Sequence, residues 1–329
     1  MKKNLIALAV LAAASGAAFA QSSVSIYGIA DVWFGSVDHN NLTQTLIESG
    51  GVSSSRIGFK GTEDLGGGLK ANFVLEQGFN IDNGSTVAGQ AFSRQSYVGF
   101  SGGFGEVRVG KTYSPFDDIA GITNAAFDSA LSPNVGVWAS SLYNANPANS
   151  IYYATPSFSG FSGALSYSLG ENKTAAVDAG NVTSLNVKYQ GGPVYAGFAY
   201  QSEKATDASI ATKFTRLNGS YDLGVVKLLA GYGRAENVLF TNSDTTDWQV
   251  GVDYPVSTAL TLSAGYASST DDDTATVKDS KRSGFGLAAA YSLSKRTTVY
   301  AGLRATTAEL ARTADIDTNV YAVGVKHTF

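Results

Sequence analysis

The chain has 329 residues, no cysteine, 37 glycines, 15% charged residues and a formal charge of −4 at neutral pH. Mild acidity excludes a general binder of nucleic acid, and a missing cysteine excludes a disulfide framework. So few charges leave too little material for an ordinary soluble surface.

The first twenty residues read as a secretory leader. Lys2 and Lys3 form its positive end, Leu5 to Leu11 its apolar core, and Ala18-Phe19-Ala20 its small-residue cleavage site. The apolar run is too short for a membrane anchor. Cleavage after Ala20 leaves one domain, 21–329, and loss of both lysines takes the formal charge from −4 to −6.

From there the chain alternates apolar and polar residues, as strands do when one face is greasy and the other wet. Sixteen strands are predicted. The first spans 24–37, with a loop from His39 to Gly51. The second, 52–61, returns through Asp64-Leu65-Gly66-Gly67-Gly68 to a third at 69–79, with a loop to Gly89. Strands at 91–101 and 104–112 meet at Gly102-Gly103. Segment 113–148 has no convincing strand. Strands at 149–155 and 161–169 come next. Later pairs meet at Gly191-Gly192-Pro193, at Asp222-Leu223-Gly224, and near 255–258 and 292–295. Trp248, Val250, Val252 and Tyr254 oppose Asp247, Gln249, Gly251 and Asp253. The last strand sets Tyr321, Val323, Val325, His327 and Phe329 against Ala322, Gly324, Lys326 and Thr328.

Such segments are too polar for membrane helices, and a closed sheet is the other structure that spans a bilayer. The fold class is therefore all-β: a sixteen-stranded antiparallel transmembrane β-barrel with an aqueous interior. Both ends lie on the short-turn side. A soluble β-sandwich would alternate too, but needs neither sixteen strands nor the rhythm of short turns and long loops.

Segment 113–148 carries the functional reading. A connection this long in a compact domain is functional or disordered. Phe116, Ile119, Ile122, Phe127, Leu131, Val135, Val137, Trp138 and Tyr143 need somewhere to pack, which argues against a solvated loop. The segment also holds Asp117, Asp118 and Asp128 and no Lys or Arg. It is expected to fold inward as the third loop and narrow the channel, with these carboxylates on one side of the gap.

Basic partners are expected on the wall. Ile57 and Phe59 face lipid, so Arg56 and Lys60 face the lumen. Leu69, Ala71, Phe73 and Leu75 face lipid, so Lys70, Asn72 and Glu76 face the lumen. Arg216 and Arg304 read likewise. Arg94 shares parity with Val98 and Phe100, and Lys111 with Val107 and Val109. Either a bulge intervenes or these two sit above the lipid band, because a charge at mid-bilayer costs about 2–4 kcal/mol. The result is a transverse field that passes small hydrophilic molecules and ions without chemistry.

Catalytic and metal signals are missing. His39 and His327 have no ligand-spaced neighbours, so no metal and no cofactor is expected. A rim hydrolase would need His39 beside Asp38. Gly66-Gly67-Gly68 lacks the lysine of a phosphate loop, and hairpin geometry accounts for it. Asp271-Asp272-Asp273 reads as a solvated loop, the alternative being cations shared with lipopolysaccharide.

These features resemble the sixteen-stranded trimeric general porins of Gram-negative outer membranes, in the branch common among β-proteobacteria. The most specific stretch runs from Ser55-Arg56-Ile57-Gly58-Phe59-Lys60-Gly61 through Leu69-Lys70-Ala71. Phe92-Ser93-Arg94-Gln95-Ser96-Tyr97-Val98-Gly99-Phe100, Phe104-Gly105 with Gly110-Lys111, Asn149-Ser150-Ile151-Tyr152-Tyr153 and the terminal Val323 to Phe329 add to it. The resemblance implies a general diffusion channel and a homotrimer, in contact with outer-membrane lipids and lipopolysaccharide. It also implies that Arg56 and Arg94 line the constriction opposite Asp117 and Asp118, and that Phe329 is an assembly signal for the outer-membrane machinery. Two departures matter. Asn146-Pro147-Ala148 stands where the family often has a basic residue, and Lys111 replaces the usual Arg, so only a weak anion preference is implied. The alternative function is a channel specific for a sugar, organic acid or phosphate, with Trp138, Phe116 and Tyr143 as an aromatic track.

Overall fold

Each predicted strand pairs with the next in the computed structural model, which describes residues 23–86, 90–206, 210–238, 243–272, 280–309 and 314–329. The leader at 1–20, Gly89 and Asp273 lie outside the described residues. The strand segments are β1 (Ser23–His39), β2 (Leu42–Ser49), β3 (Arg56–Gly66), β4 (Leu69–Gly78), β5 (Gln95–Gly102), β6 (Gly105–Lys111), β7 (Ser150–Ala154), β8 (Phe161–Leu169), β9 (Asn181–Gly191), β10 (Val194–Lys204), β11 (Thr212–Asp222), β12 (Lys227–Val238), β13 (Ser243–Pro255), β14 (Leu260–Asp271), β15 (Lys281–Ser292), β16 (Thr297–Glu309) and β17 (Ile316–Thr328).

All pairings are antiparallel, and β17 returns to β1, with Ile29 opposite Thr328 and His39 opposite Thr318. Gly28 and Phe329 complete the seam by exchanging two backbone hydrogen bonds of 3.1 Å. No edge strand is left at this seam, which satisfies the backbone where lipid offers no partner. β2 and β3 both pair with β1, along its upper and lower parts, and so form one interrupted stave. The seventeen segments therefore make a sixteen-stranded barrel.

One predicted loop is a hairpin. Residues 42–49 continue the sheet, and Asn40 and Asn41 turn the chain with φ of 52° and 67°. Two positive φ values at the corner are what a tight hairpin turn demands, and asparagine tolerates them. Its threonines and isoleucine favour extended backbone, a signal outweighed by the polar flanks when the segment is read as a loop.

The two faces are sharply different. In β17, Tyr321 and Val323 are 56% and 53% exposed, while Val320 and Ala322 are 3% and 8% exposed. In β11, Leu217 is exposed between buried Arg216 and Asn218. The exposed residues form the apolar band that meets lipid, and the opposite, inner face is small or polar.

Candidate functional site

The connection between β6 and β7 is tied to the inner faces of strands around much of the barrel. It contains one helical turn, α1 (Asp117–Ala120), and two 3-10 turns, Ala126–Asp128 and Ala139–Ser141. Isolated turns this short are unstable in water, so side chains of the wall must hold them. Phe116 N–H donates to Ser184 Oγ at 3.0 Å, and Asn186 donates to the Pro115 carbonyl at 2.6 Å. Asn218 donates to the Ile119 carbonyl. Gln249 donates to Thr123 O at 2.9 Å, Arg282 to Val137 O at 3.0 Å, and Arg304 to Ala130 O at 2.7 Å.

Arg216 makes the densest anchor. Its side chain is 1% exposed. It donates to Ala120 O at 2.8 Å and to Ser140 O at 3.1 Å, and its guanidinium lies 4.6 Å from the Trp138 ring and 5.5 Å from Phe116. The expectation that Arg216 and Arg304 answer the carboxylates of this segment is therefore corrected. Both point inward, but their partners are carbonyls of the chain folded over them, contacts between residues 76 to 174 apart in sequence.

Apolar packing closes the two ends of the arc. Phe116, Ile119, Ala120 and Ala139 join Ala199, Phe214, Ala235 and Val238 on β10 to β12. At the far end, Ala126 and Leu131 join Trp33, Ala288, Tyr300, Val320 and Ala322. A buried carboxylate fastens that end. Asp31 accepts from Gly51, Val52 and Ser53 N–H at 2.9–3.1 Å and from Tyr300 OH at 2.6 Å. This holds the excursion between β2 and β3, and Gly51 O in turn accepts from Ala130 N–H at 2.7 Å. Nothing in the local pattern around Asp31 announces that role.

The three acidic residues take neutral partners. Asp117 accepts from Tyr143 OH at 2.7 Å, Asp118 from Tyr152 OH at 2.7 Å, and Asp128 from Asn124 at 2.6 Å. Burial, reinforced by Asp118 and opposed by the Tyr143 hydrogen bond and by Arg94, pushes the Asp117 carboxyl up to about 6. Burial also raises Asp118, against the pull of its Tyr152 hydrogen bond and of Arg108 and Lys188. Arg108, not singled out from the sequence, lies 5.1 Å from the Tyr97 ring and 4.7 Å from Tyr152, and pairs with Glu106 at 2.7 Å. Its place opposite Gly99, on the inner parity, is the signal that could have found it.

The predicted basic residues sit as follows. Arg94 precedes β5, after Phe92 with φ of 57°, so strand parity does not govern it. It pairs with Glu76 at 2.9 Å and lies 5.6 Å from the Tyr113 ring. Glu76 also accepts from Tyr27 OH at 2.9 Å and Tyr113 OH at 3.2 Å, and so aims Arg94. Lys111 stays in register opposite Ser96, and its Nζ donates to Asn146 O at 2.8 Å. Arg94 and Lys111 line one cavity of about 680 Å³. Arg56 is half-buried opposite Gly78, the residue against which Arg94 packs. Lys60 lies 5.0 Å from the Tyr27 ring. Lys70 stands exposed beside the Gly66–Leu69 turn, opposite Asp64 and Ser101, six residues below Glu76.

The hydrolase arrangement does not assemble. His39 Nδ1 meets Thr318 Oγ1 at 3.1 Å, while Asp38 accepts from Asn41 N–H and Thr43 OH. Among the described residues, no attacking hydroxyl is joined to a histidine and a carboxylate in series, as nucleophilic catalysis needs.

Comparison with known proteins agrees with this geometry. A family model described as Gram-negative porin matches residues 7–311. The outer membrane porin protein 32 of Delftia acidovorans is 36% identical, over 99% of this chain and 95% of its own. An outer membrane porin protein of Bordetella pertussis is 30% identical over the whole of both chains. Among solved structures, the anion-selective porin from Comamonas acidovorans superposes with a TM-score of 0.82 at 28% identity, covering 94% of this chain and all of that one.

Proposed function

We propose that this chain, which belongs to the Gram-negative porin family, narrows its own barrel with residues 112–149 and so sieves small hydrophilic solutes. The chain is an outer-membrane β-barrel channel and not an enzyme. The observation that carries the narrowing is the row of loop carbonyls held by Arg216, Gln249, Arg282 and Arg304 on β11, β13, β15 and β16. A segment spread over that many inner faces takes up lumen.

The field across the gap follows from which charges stay free. Asp117 and Asp118 are partly neutralised by burial and by tyrosine hydroxyls, whereas Arg56 and Lys60 have no ion-pair partner among the described residues and Arg94 is offset by Glu76. This supports a modest preference for anions, through a transverse field that orients polar solutes and offers apolar ones nothing for the ordered water they displace. Family membership supports a homotrimer and a role for Phe329 in assembly. General diffusion is preferred over a substrate-specific channel because Phe116 and Trp138 are buried in packing and offer no exposed aromatic track.

Single-channel conductance and zero-current potential in a planar bilayer under a KCl gradient test this reading. Large ohmic steps are expected. Arg56→Ala should move the potential towards cation preference and Asp117→Ala, at pH 7.5, towards anion preference. Removing one charge about 6 Å from the ion path in water changes the permeability ratio about threefold. Shifts in the same direction, or saturable flux of one solute class alone, would overturn the proposal.

A further inference from the structure

Most apolar side chains of residues 112–149 are buried, but Ile122, Val135 and Leu142 are 43%, 42% and 63% exposed. Packing of the segment does not account for them. All three line one hollow of about 750 Å³, together with Asp117 and Asp128.

The open polar groups of this hollow are oxygens. Asp117 and Asp128 each accept one hydrogen bond from a neutral donor, and among the described residues neither lies within 4.0 Å of a cationic group. Buried Ser132 and Asn134 also line it, and the Ser132 hydroxyl and the Asn134 amide oxygen have no partner among the described residues. The cations and the ring N–H at its floor are committed elsewhere. Arg216 holds Ala120 O and Ser140 O, Arg282 holds Val137 O and pairs with Asp271, and Trp138 Nε1 donates to Trp248 O. A ligand meets two carboxylates and an apolar rim, while the Arg216 charge, which acts on both carboxylates, lies buried behind the loop carbonyls.

We propose that this hollow is a binding subsite for small amphipathic ammonium ions. The ammonium head sits against Asp117 and Asp128, and the hydrocarbon tail covers Ile122, Val135 and Leu142. The proposal rests on residues 112–149 facing the channel. It places a cation subsite inside a pore whose wider field favours anions, so such ions should linger and interrupt the current while small inorganic cations pass.

The test is the single-channel current with n-hexylammonium, ammonium or hexanoate added, for the wild type, Asp128→Asn and Val135→Ser. Hexylammonium should produce resolved blocking events, and ammonium and hexanoate should not. Each added methylene should strengthen block roughly two- to threefold. Asp128→Asn should weaken it about fivefold or more, and Val135→Ser should remove part of the chain-length dependence. Equal block by hexanoate, or hexylammonium block unchanged in both variants, overturns the proposal. If folded wild-type protein carries no current, the pore reading fails separately. The subsite is then judged by tryptophan fluorescence, since Trp138 lines the hollow. Saturable change with hexylammonium, weakened in Asp128→Asn, supports it, and no change overturns it.

Discussion

Replacing Arg216 by methionine should loosen the segment between β6 and β7 without unfolding the barrel. The guanidinium is the donor for Ala120 O and Ser140 O, two buried carbonyls that no other described side chain satisfies, and it lies against Trp138 and Phe116. Each orphaned carbonyl costs about 1–3 kcal/mol, and loss of the cation–ring contact adds about 1 kcal/mol. Methionine refills much of the volume, so the low end, about 3 kcal/mol, is the expected loss. That raises the detached fraction of the segment roughly a hundredfold. The barrel ladder shares none of these contacts, so the barrel should persist. Hydrogen exchange by mass spectrometry should show faster exchange in peptides covering 116–123 and 138–142, and single-channel records should gain open-state noise. Arg216→Lys keeps the charge but reaches only one of the two carbonyls, and should fall between. Wild-type exchange in both peptides together with quiet channels from Arg216→Met would refute the assignment of this residue as the anchor.

Four further outcomes are expected. Asp117 is ionised above its raised value of about 6 and neutral below it, so lowering pH through that value should move the zero-current potential towards anion preference, and Asp117→Asn should lose that step. Glu76→Gln removes the charge that offsets Arg94 while keeping a hydrogen-bonding shape, so anion preference should rise by about threefold in permeability ratio at neutral pH; an unchanged ratio would mean Arg94 does not face the ion path. Tyr300→Phe deletes one of four hydrogen bonds to Asp31, costing about 1 kcal/mol, and should speed exchange of the Gly51 to Ser53 amides about fivefold while that of β12 stays fixed. Deleting Phe329 removes both hydrogen bonds of the Gly28 seam, and should slow barrel closure in a heat-modifiable gel-shift assay of refolding into lipid vesicles.

The strands and their faces were legible because alternation is local. Each residue's side is decided by its neighbours, so the spacing of Ile57 and Phe59 turns them to lipid, and Tyr321 and Val323 likewise. The same logic leaves a residue undecided where one backbone angle interrupts it. Phe92, with positive φ, takes Arg94 out of the parity of the strand beside it. The hairpin at Asn40-Asn41 was hidden for a related reason, since two left-handed residues make a turn where composition suggests a loop.

The long connection between β6 and β7 announced itself by its length, its apolar content and its three carboxylates, and its residue types sufficed to suggest a constriction. Its anchors were not legible. Arg216 and Arg304 were read as inward cations, which parity can establish, but a cation in sequence does not say whether it will meet a carboxylate or a carbonyl. That choice depends on which backbone atoms the folded segment carries past it, 76 to 174 residues away in the chain. Asp31 and Glu76 carry the same lesson. Each is one acid among 27 in composition, and each becomes a hub only when the closed barrel gathers donors from separate stretches around it. Period-two patterning therefore determines the wall from the sequence alone. The seating of residues 112–149 is decided by tertiary structure, because closing the ring brings its partners together without any periodic signal in the chain.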